Sequence, residues 1–369
     1  MRRSRPNRTK TSRASGGCHQ APSQQLHNPY APMQLVSESQ LEDIHQASLT
    51  LLCNTGIDFQ SPQAVEILRR AGAMVDADGQ RVRFDPDWVM QTIATTPSEF
   101  VLHGRGPDRH IIMGGSSMAF AMVASTPNVS DLDRGRITGN FEDFCNLLRL
   151  GESLNSVQLQ AGFPVEPCDV NVNIRHLVAA EAMARLTTKP VGGYALGAQR
   201  MLDVIEIARI SRGISHTQLL EQPSIHTVVN ANSPLIYDAA LLEGAIVMAQ
   251  HNQPVIYTPF TLAGAMAPIT MAGALVQQNA ECLAGLAFHQ CVNPGAPAMY
   301  GSFTSNVDMK SGSPAFGTPE YSQATIVSGQ LARKYGIPLR ASNANASNAP
   351  DAQATYESQM SLWGCMMGQ

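Results

Sequence analysis

Charge is scarce in this sequence. Only 15% of its 369 residues are Asp, Glu, Lys or Arg, and lysine occurs four times, at Lys10, Lys189, Lys310 and Lys334. Paired metal-binding spacings are missing as well. Seven cysteines (Cys18, Cys53, Cys145, Cys168, Cys282, Cys291, Cys365) occur with no Cys-x-x-Cys and no His-x-His, which argues against a structural zinc site. In a chain of this size they read as reduced, mostly buried thiols of a cytoplasmic protein. No Gly-x-Gly-x-x-Gly follows the first strand of the regular region and no Walker loop occurs, so a nucleotide-binding open sheet lacks its signature. No apolar run approaches the roughly 18 residues that suggest a membrane span. Nor does an apolar segment precede residue 30, as a signal peptide would require.

The charge that is present is unevenly spread. Residues 1–29 hold six basic residues (Arg2, Arg3, Arg5, Arg8, Lys10, Arg13) and no acid, so a net charge of −4 leaves about −10 on the remainder. An acidic body argues against nucleic acid as a partner, and the polar start reads as a disordered tail. Residues 30–135 read as an N-terminal α+β extension. Ser39-x-x-Glu42 has the form of a capping box, Gly56 ends the helix that follows, Ser61-Pro62 and Asp85-Pro86 open two more, and Asp78-Gly79 forms a turn. Strands are expected at about Phe100–His103 and His110–Met113 as a hairpin. From residue 136 to 369 helices and short apolar strands alternate, with strands at 157–162, 191–196, 225–230, 255–260, 298–303 and 337–342. Repeats of this kind indicate parallel βα units. Six strands leave two architectures open, a doubly wound open sheet or a (β/α)8 TIM-type barrel whose last one or two βα units are missing from the chain.

Polar and aromatic residues collect just after these strands, where the active face of a barrel would lie. The set comprises Tyr194, Asn230, Asn232, Phe260, Tyr300, Phe303, Asn343 and Asn345, with few acid–base pairs among them. Amides, hydroxyls and rings suit a polar or cationic small molecule better than a phosphate, because ring faces attract cations. Lys310 is the one lysine expected on this face, but a Schiff-base role fits poorly with its place in a long loop. Asp43-Ile-His45 followed by Ser48 is a near miss to the Asp-x-His-x-x-Gly of cobalamin-binding modules and reads as helix surface.

Several long segments resemble the trimethylamine methyltransferase family. They are Leu26-His-Asn-Pro-Tyr-Ala-Pro-Met33, Pro127-Asn-Val-Ser-Asp-Leu-Asp-Arg-Gly135, Thr258-Pro-Phe-Thr-Leu-Ala-Gly-Ala-Met-Ala-Pro268, Tyr300-Gly-Ser-Phe-Thr-Ser-Asn-Val-Asp-Met-Lys310 and Asn348-Ala-Pro-Asp-Ala-Gln353. The resemblance implies a (β/α)-barrel enzyme that moves a methyl group from an amine to the cobalt (as Co(I)) of a separate corrinoid (cobalamin) protein. Large barrels of this kind often self-associate, so a homo-oligomer is expected, with no bound metal or nucleotide. Archaeal members acting on trimethylamine carry pyrrolysine at a point that falls near Ala344, where this sequence has ordinary residues. The likeness is therefore to the non-pyrrolysine branch, which demethylates quaternary amines such as glycine betaine. The rings Tyr194, Phe260, Tyr300 and Phe303 are expected to hold the cation, and Asn230, Asn232, Asn343 and Asn345 to hold a carboxylate tail. Because the family's barrel continues past the point matching residue 369, the rival expectations are an inactive fragment or an amine-binding protein without methyl transfer.

Overall fold

The computed structural model describes residues 19–77 and 79–369. The basic stretch up to residue 18, and Asp78 of the expected turn, lie outside the described residues. Leu26–His27 is a short strand, paired antiparallel with Ser117–Met118, so the segment expected to be a disordered tail to residue 29 already takes part in the fold.

The extension carries three helices, α1 (Glu38–Asn54), α2 (Pro62–Arg70) and α3 (Pro86–Ile93). Their starts follow the capping chemistry of the sequence. The Ser61 and Asp85 side chains accept from Ala64 N and Trp88 N, and each is followed by proline in the first turn. The capping box of α1 is formed by Ser37 and Gln40 rather than by Ser39 and Glu42. A box needs an extended N-cap, and Ser37 has φ −65° and ψ 163°, whereas Ser39 already lies within the helix. Gly56 then turns the chain at φ +74°, where a Cβ would fall 2.4 Å from the Val82 carbonyl oxygen. The expected hairpin is present as Glu99–Leu102 against Ile111–Gly114.

Beyond the extension lies one sheet of seven strands, parallel throughout and in chain order: Ala121–Met122, Leu159–Gln160, Val191–Gly193, Ile225–Val229, Val255–Tyr257, Ala298–Gly301 and Leu339–Arg340. The first of these corrects the sequence reading. Ala121 pairs with Leu159 inside the segment assigned to the extension, so the parallel sheet begins before residue 136 and has one strand more than expected. Consecutive parallel order is that of a (β/α) barrel rather than of a doubly wound sheet, which reverses its order at a switch point. Between strands run α4 (Phe141–Ser153), α5 (Arg175–Leu186), α6 (Ala198–Arg212) with the short α7 (His216–Glu221), α8 (Ala239–Gln250), α9 (Met271–Val292) and α10 (Pro319–Tyr335). A last helix, α11 (Ala352–Gly368), packs on α10.

Among the described residues the outer edges of the first and seventh strands pair with no other strand. Contacts from the end of α11 reach across toward the first strand instead. Gln369 donates to Ser117 O, Asn28 donates to Met366 O, and Met33 N–H donates to Met367 O.

Strand alternation sorts the side chains. Val229, Tyr257, Ala298, Tyr300 and Leu339 join the core between sheet and helices, which leaves His226, Val228, Asn230, Ile256, Thr258, Met299 and Arg340 facing the barrel interior. The central helix α9 is buried nearly all round, from Ala274 to Gln290, because it touches the sheet on one side and α1, α2 and α3 on the other. That double contact is why its sequence shows no polar face.

Candidate active site

The C-terminal ends of the strands open into a mouth with two differently built sides. On the side of the early strands, Tyr194 packs edge-on against Phe163 at 4.5 Å. Its hydroxyl accepts from Ser125 Oγ at 2.7 Å and from Phe163 N–H at 3.1 Å, and burial pushes its pKa up to about 12. Glu166 lies on the same side, 3.8 Å from Arg175, and burial raises its carboxyl above the usual range.

On the side of the late strands four rings form a cluster. Phe303 lies 5.2 Å from Phe260 and 5.1 Å from Phe316, and Tyr321 lies 5.6 Å from Phe316 and 6.3 Å from Phe303. Phe260, Phe303 and Phe316 are only partly buried, so ring surface remains accessible. Tyr321 is fixed by donating to Ser342 O at 2.9 Å. The Arg340 guanidinium sits 5.9 Å from the centre of the Phe303 ring. Deeper inside, His226 is buried and held neutral, its pKa lowered to about 4 by desolvation and then by the charge of Arg340. Among the described residues Thr258 Oγ1 and Thr261 Oγ1 are buried without a hydrogen-bond partner.

The loop after the fourth strand is held from behind. Glu281, fully buried on α9, accepts from Ser233 Oγ at 2.6 Å, from Leu235 N–H at 2.8 Å and from Gln277 Nε2 at 3.0 Å. The next residues, Ile236–Tyr237, pair in parallel with Ile57–Phe59, so the extension fixes this loop as well.

Of the residues expected at the site, Phe260 and Phe303 meet in the ring cluster. Tyr300 does not. It is fully buried among the helices, donating to Asn279 Oδ1 at 3.0 Å, because it shares the outward register of its strand partner Tyr257. Tyr194 belongs to the opposite side of the mouth and has its own partners. Asn230 faces the interior and is partly buried, whereas Asn232 is exposed and bonds locally through its backbone to Ile236 O. Asn343 is exposed and accepts from Ser358 Oγ at 2.7 Å, and Asn345 is partly buried in the same loop. Phe316, Tyr321, His226 and Arg340 were not anticipated. For Arg340 a signal existed, since it is the one permanently charged side chain in the seven strands.

Three further observations bear on the chemistry. His45, read as helix surface, is buried, with Nδ1 3.0 Å from Tyr335 Oη, so it is unsuited to reach a cobalt ion. Among the described residues no group of three His, Cys, Asp or Glu side chains could hold a metal ion, and no helix is long and apolar enough to cross a membrane. The rim is apolar in part: Ile269 and Met309 are each 72% exposed and stand together over Gly264.

Seven consecutive parallel strands with intervening helices define a (β/α)-barrel protein. The family described as trimethylamine methyltransferase (MTTB) matches residues 1–369, and the chain belongs to it. It is 35% identical over 329 residues to a glycine betaine methyltransferase of Desulfitobacterium hafniense, covering 89% of this chain and 68% of that protein. It is 30% identical over 324 residues to a trimethylamine methyltransferase of the same species, covering 87% of this chain and 65% of that one. A proline betaine:corrinoid methyltransferase of Eubacterium limosum matches at 24% over 343 residues, covering 90% of this chain and 70% of that one. The chain thus spans about two thirds of the length of these relatives. Among solved structures, the Methanosarcina barkeri monomethylamine methyltransferase matches with a TM-score of 0.50 at 11% identity, over 89% of this chain and 74% of that one, a likeness of fold.

Proposed function

We propose that this protein transfers a methyl group from a quaternary amine of the betaine type to a corrinoid carried by a separate protein. The observation that carries the reading is the cluster of Phe260, Phe303, Phe316 and Tyr321 at the mouth of a barrel belonging to this family. Ring faces attract an ammonium by about 0.5–2 kcal/mol each. A quaternary nitrogen needs no proton to become a leaving group. The N–CH3 bond breaks with its electron pair left on nitrogen, and the product is a neutral tertiary amine. The corrinoid, when its carrier docks, supplies the electron pair that takes the methyl carbon. What remains for this chain is to bind the cation, orient one methyl group toward the open mouth and keep water out, a contribution of several kcal/mol in favourable cases. The scarcity of acid–base pairs at the mouth is consistent with that division of labour. The reading includes a cytoplasmic, self-associating enzyme that works without nucleic acid or membrane.

The test is cobalamin methylation from the Co(I) state with glycine betaine, proline betaine, carnitine and choline as donors. Methylation with a betaine is expected. No methylation with any donor, in conditions where the Desulfitobacterium relative works, would sink the proposal. Phe303→Ala removes the ring that touches all three others, at about 1–2 kcal/mol. It should raise KM for the amine roughly five- to thirtyfold.

A further inference from the structure

Among the described residues, the interior of the barrel holds a charge with no counter-charge within ion-pair distance. Arg340 ends the seventh strand. Its neighbour Leu339 packs toward the helices, so Arg340 is turned to the interior, where His226 feels its field. The side chain is partly buried, and among the described residues its guanidinium makes no hydrogen bond and no ion pair; its electrostatic neighbours are the Tyr321 hydroxyl and the Cys365 thiol. A guanidinium partly withdrawn from water and without an anion carries a desolvation cost that an arriving carboxylate would offset. A guanidinium fork matches a carboxylate with two parallel donors. His226, being neutral, adds no second positive charge, and Glu166, the partly buried acid of the mouth, is placed beside Arg175.

We infer that Arg340 is the anchor for the carboxylate of a zwitterionic substrate, whose methylated ammonium lies against the Phe260, Phe303 and Phe316 rings. Arg340 stands 5.9 Å from the Phe303 ring centre, and the other two rings are 5.2 and 5.1 Å from Phe303. An ammonium one carbon removed from a carboxylate on Arg340 can therefore come within the roughly 6 Å at which rings attract cations when the ligand lies along the ring side of the guanidinium. The same geometry selects against a bare cation. Choline offers the rings the same head but leaves Arg340 unpaired and facing a like charge. The site thus distinguishes betaines from choline and simple methylamines by one side chain.

The inference rests on the methylated-amine reading, so its test measures binding rather than methyl transfer. Calorimetric titration of the chain with glycine betaine, choline and 3,3-dimethylbutyrate, the carbon isostere of betaine, separates the two halves of the ligand. The unmodified chain should bind betaine about tenfold or more tightly than choline, with detectable binding of the isostere. Arg340→Gln should weaken betaine by about tenfold or more while leaving choline bound as tightly or more tightly, and Arg340→Lys should fall between for betaine. Thermal melts establish that each variant is folded; should neither be, the betaine-to-choline ratio of the unmodified chain decides alone. A choline preference in that chain, or Arg340→Gln binding betaine as well as the parent, overturns the inference and leaves the methyltransferase reading standing. Binding of none of the three overturns both.

Discussion

Replacing Glu281 tests whether the mouth is held together from the far side of the sheet. Its two carboxylate oxygens take Ser233 Oγ at 2.6 Å, Leu235 N–H at 2.8 Å and Gln277 Nε2 at 3.0 Å. Leu235 has φ +60°, a conformation that costs a non-glycine residue about 1–2 kcal/mol and needs outside support. Glu281→Ala orphans two buried donors, Ser233 Oγ and Leu235 N–H, because Gln277 keeps the Met266 carbonyl. At about 1–3 kcal/mol for each orphan, the loss is roughly 2–6 kcal/mol. Glu281→Gln keeps an acceptor for Leu235 and Gln277, and Ser233 can turn its hydroxyl to accept, so its cost should stay below about 1.5 kcal/mol. The two also differ in pH dependence. Burial raises the folded-state pKa of Glu281 above its ordinary 4.5. Its contribution is therefore full below that value and is lost as pH rises through the folded pKa. The stability gap between parent and Glu281→Gln should shift in favour of the variant from pH 5 to pH 8. Urea unfolding at both pH values measures this. An alanine variant within about 0.5 kcal/mol of the parent, or a gap that does not move with pH, would refute the reasoning.

Two more outcomes follow from close approaches and exposed apolar groups. Gly285→Ala should destabilise by about 1–3 kcal/mol or more, because a Cβ there would meet Tyr257 Cδ1 at 2.3 Å and Tyr237 Oη at 2.6 Å on the packed face of α9; denaturant melts check it. On the proposed methyl-transfer reading, with the carrier docking on the rim, Ile269→Glu or Met309→Glu should raise KM for the corrinoid carrier severalfold without changing stability, since both side chains are 72% exposed; steady-state kinetics against carrier concentration reads the effect.

Much of this architecture was legible because caps and periodicity are local. Ser61-Pro62 and Asp85-Pro86 open helices where their chemistry says they should, and the alternation after residue 136 maps onto consecutive parallel strands. The strand Ala121–Met122 was not legible. It is two residues long, lies among alanine and methionine, and becomes a strand only because Leu159–Gln160 lies beside it. The failure at Tyr300 is different in kind. Alternation points outward, since Tyr300 pairs with Tyr257 and both keep register with Val255 and Ala298, whereas a place at the strand end suggests the mouth. Phe316 and Tyr321 carry no such signal. They reach Phe303 only because the long loop before α10 folds back over the sheet end, a contact that no spacing encodes.

The two halves of the candidate site differ in how firmly they are placed, and the difference has a physical reason. Ring–cation attraction is shallow and tolerates shifts of an ångström, so rings supplied by loops after the fifth and sixth strands and by the start of α10 suffice. A guanidinium pairing with a carboxylate depends on bond direction, and its desolvation is offset only where the anion arrives in register. Arg340 is accordingly on a strand, paired at Gly301 and backed by Leu339 in the core. Gly301 is part of the same arrangement, because a Cβ there would collide with Thr258 Oγ1 at 1.9 Å on the interior face beside Arg340. On the proposed reading, change in the loops can tune which methylated head is held, while the preference for an acid group is carried by the sheet through Arg340.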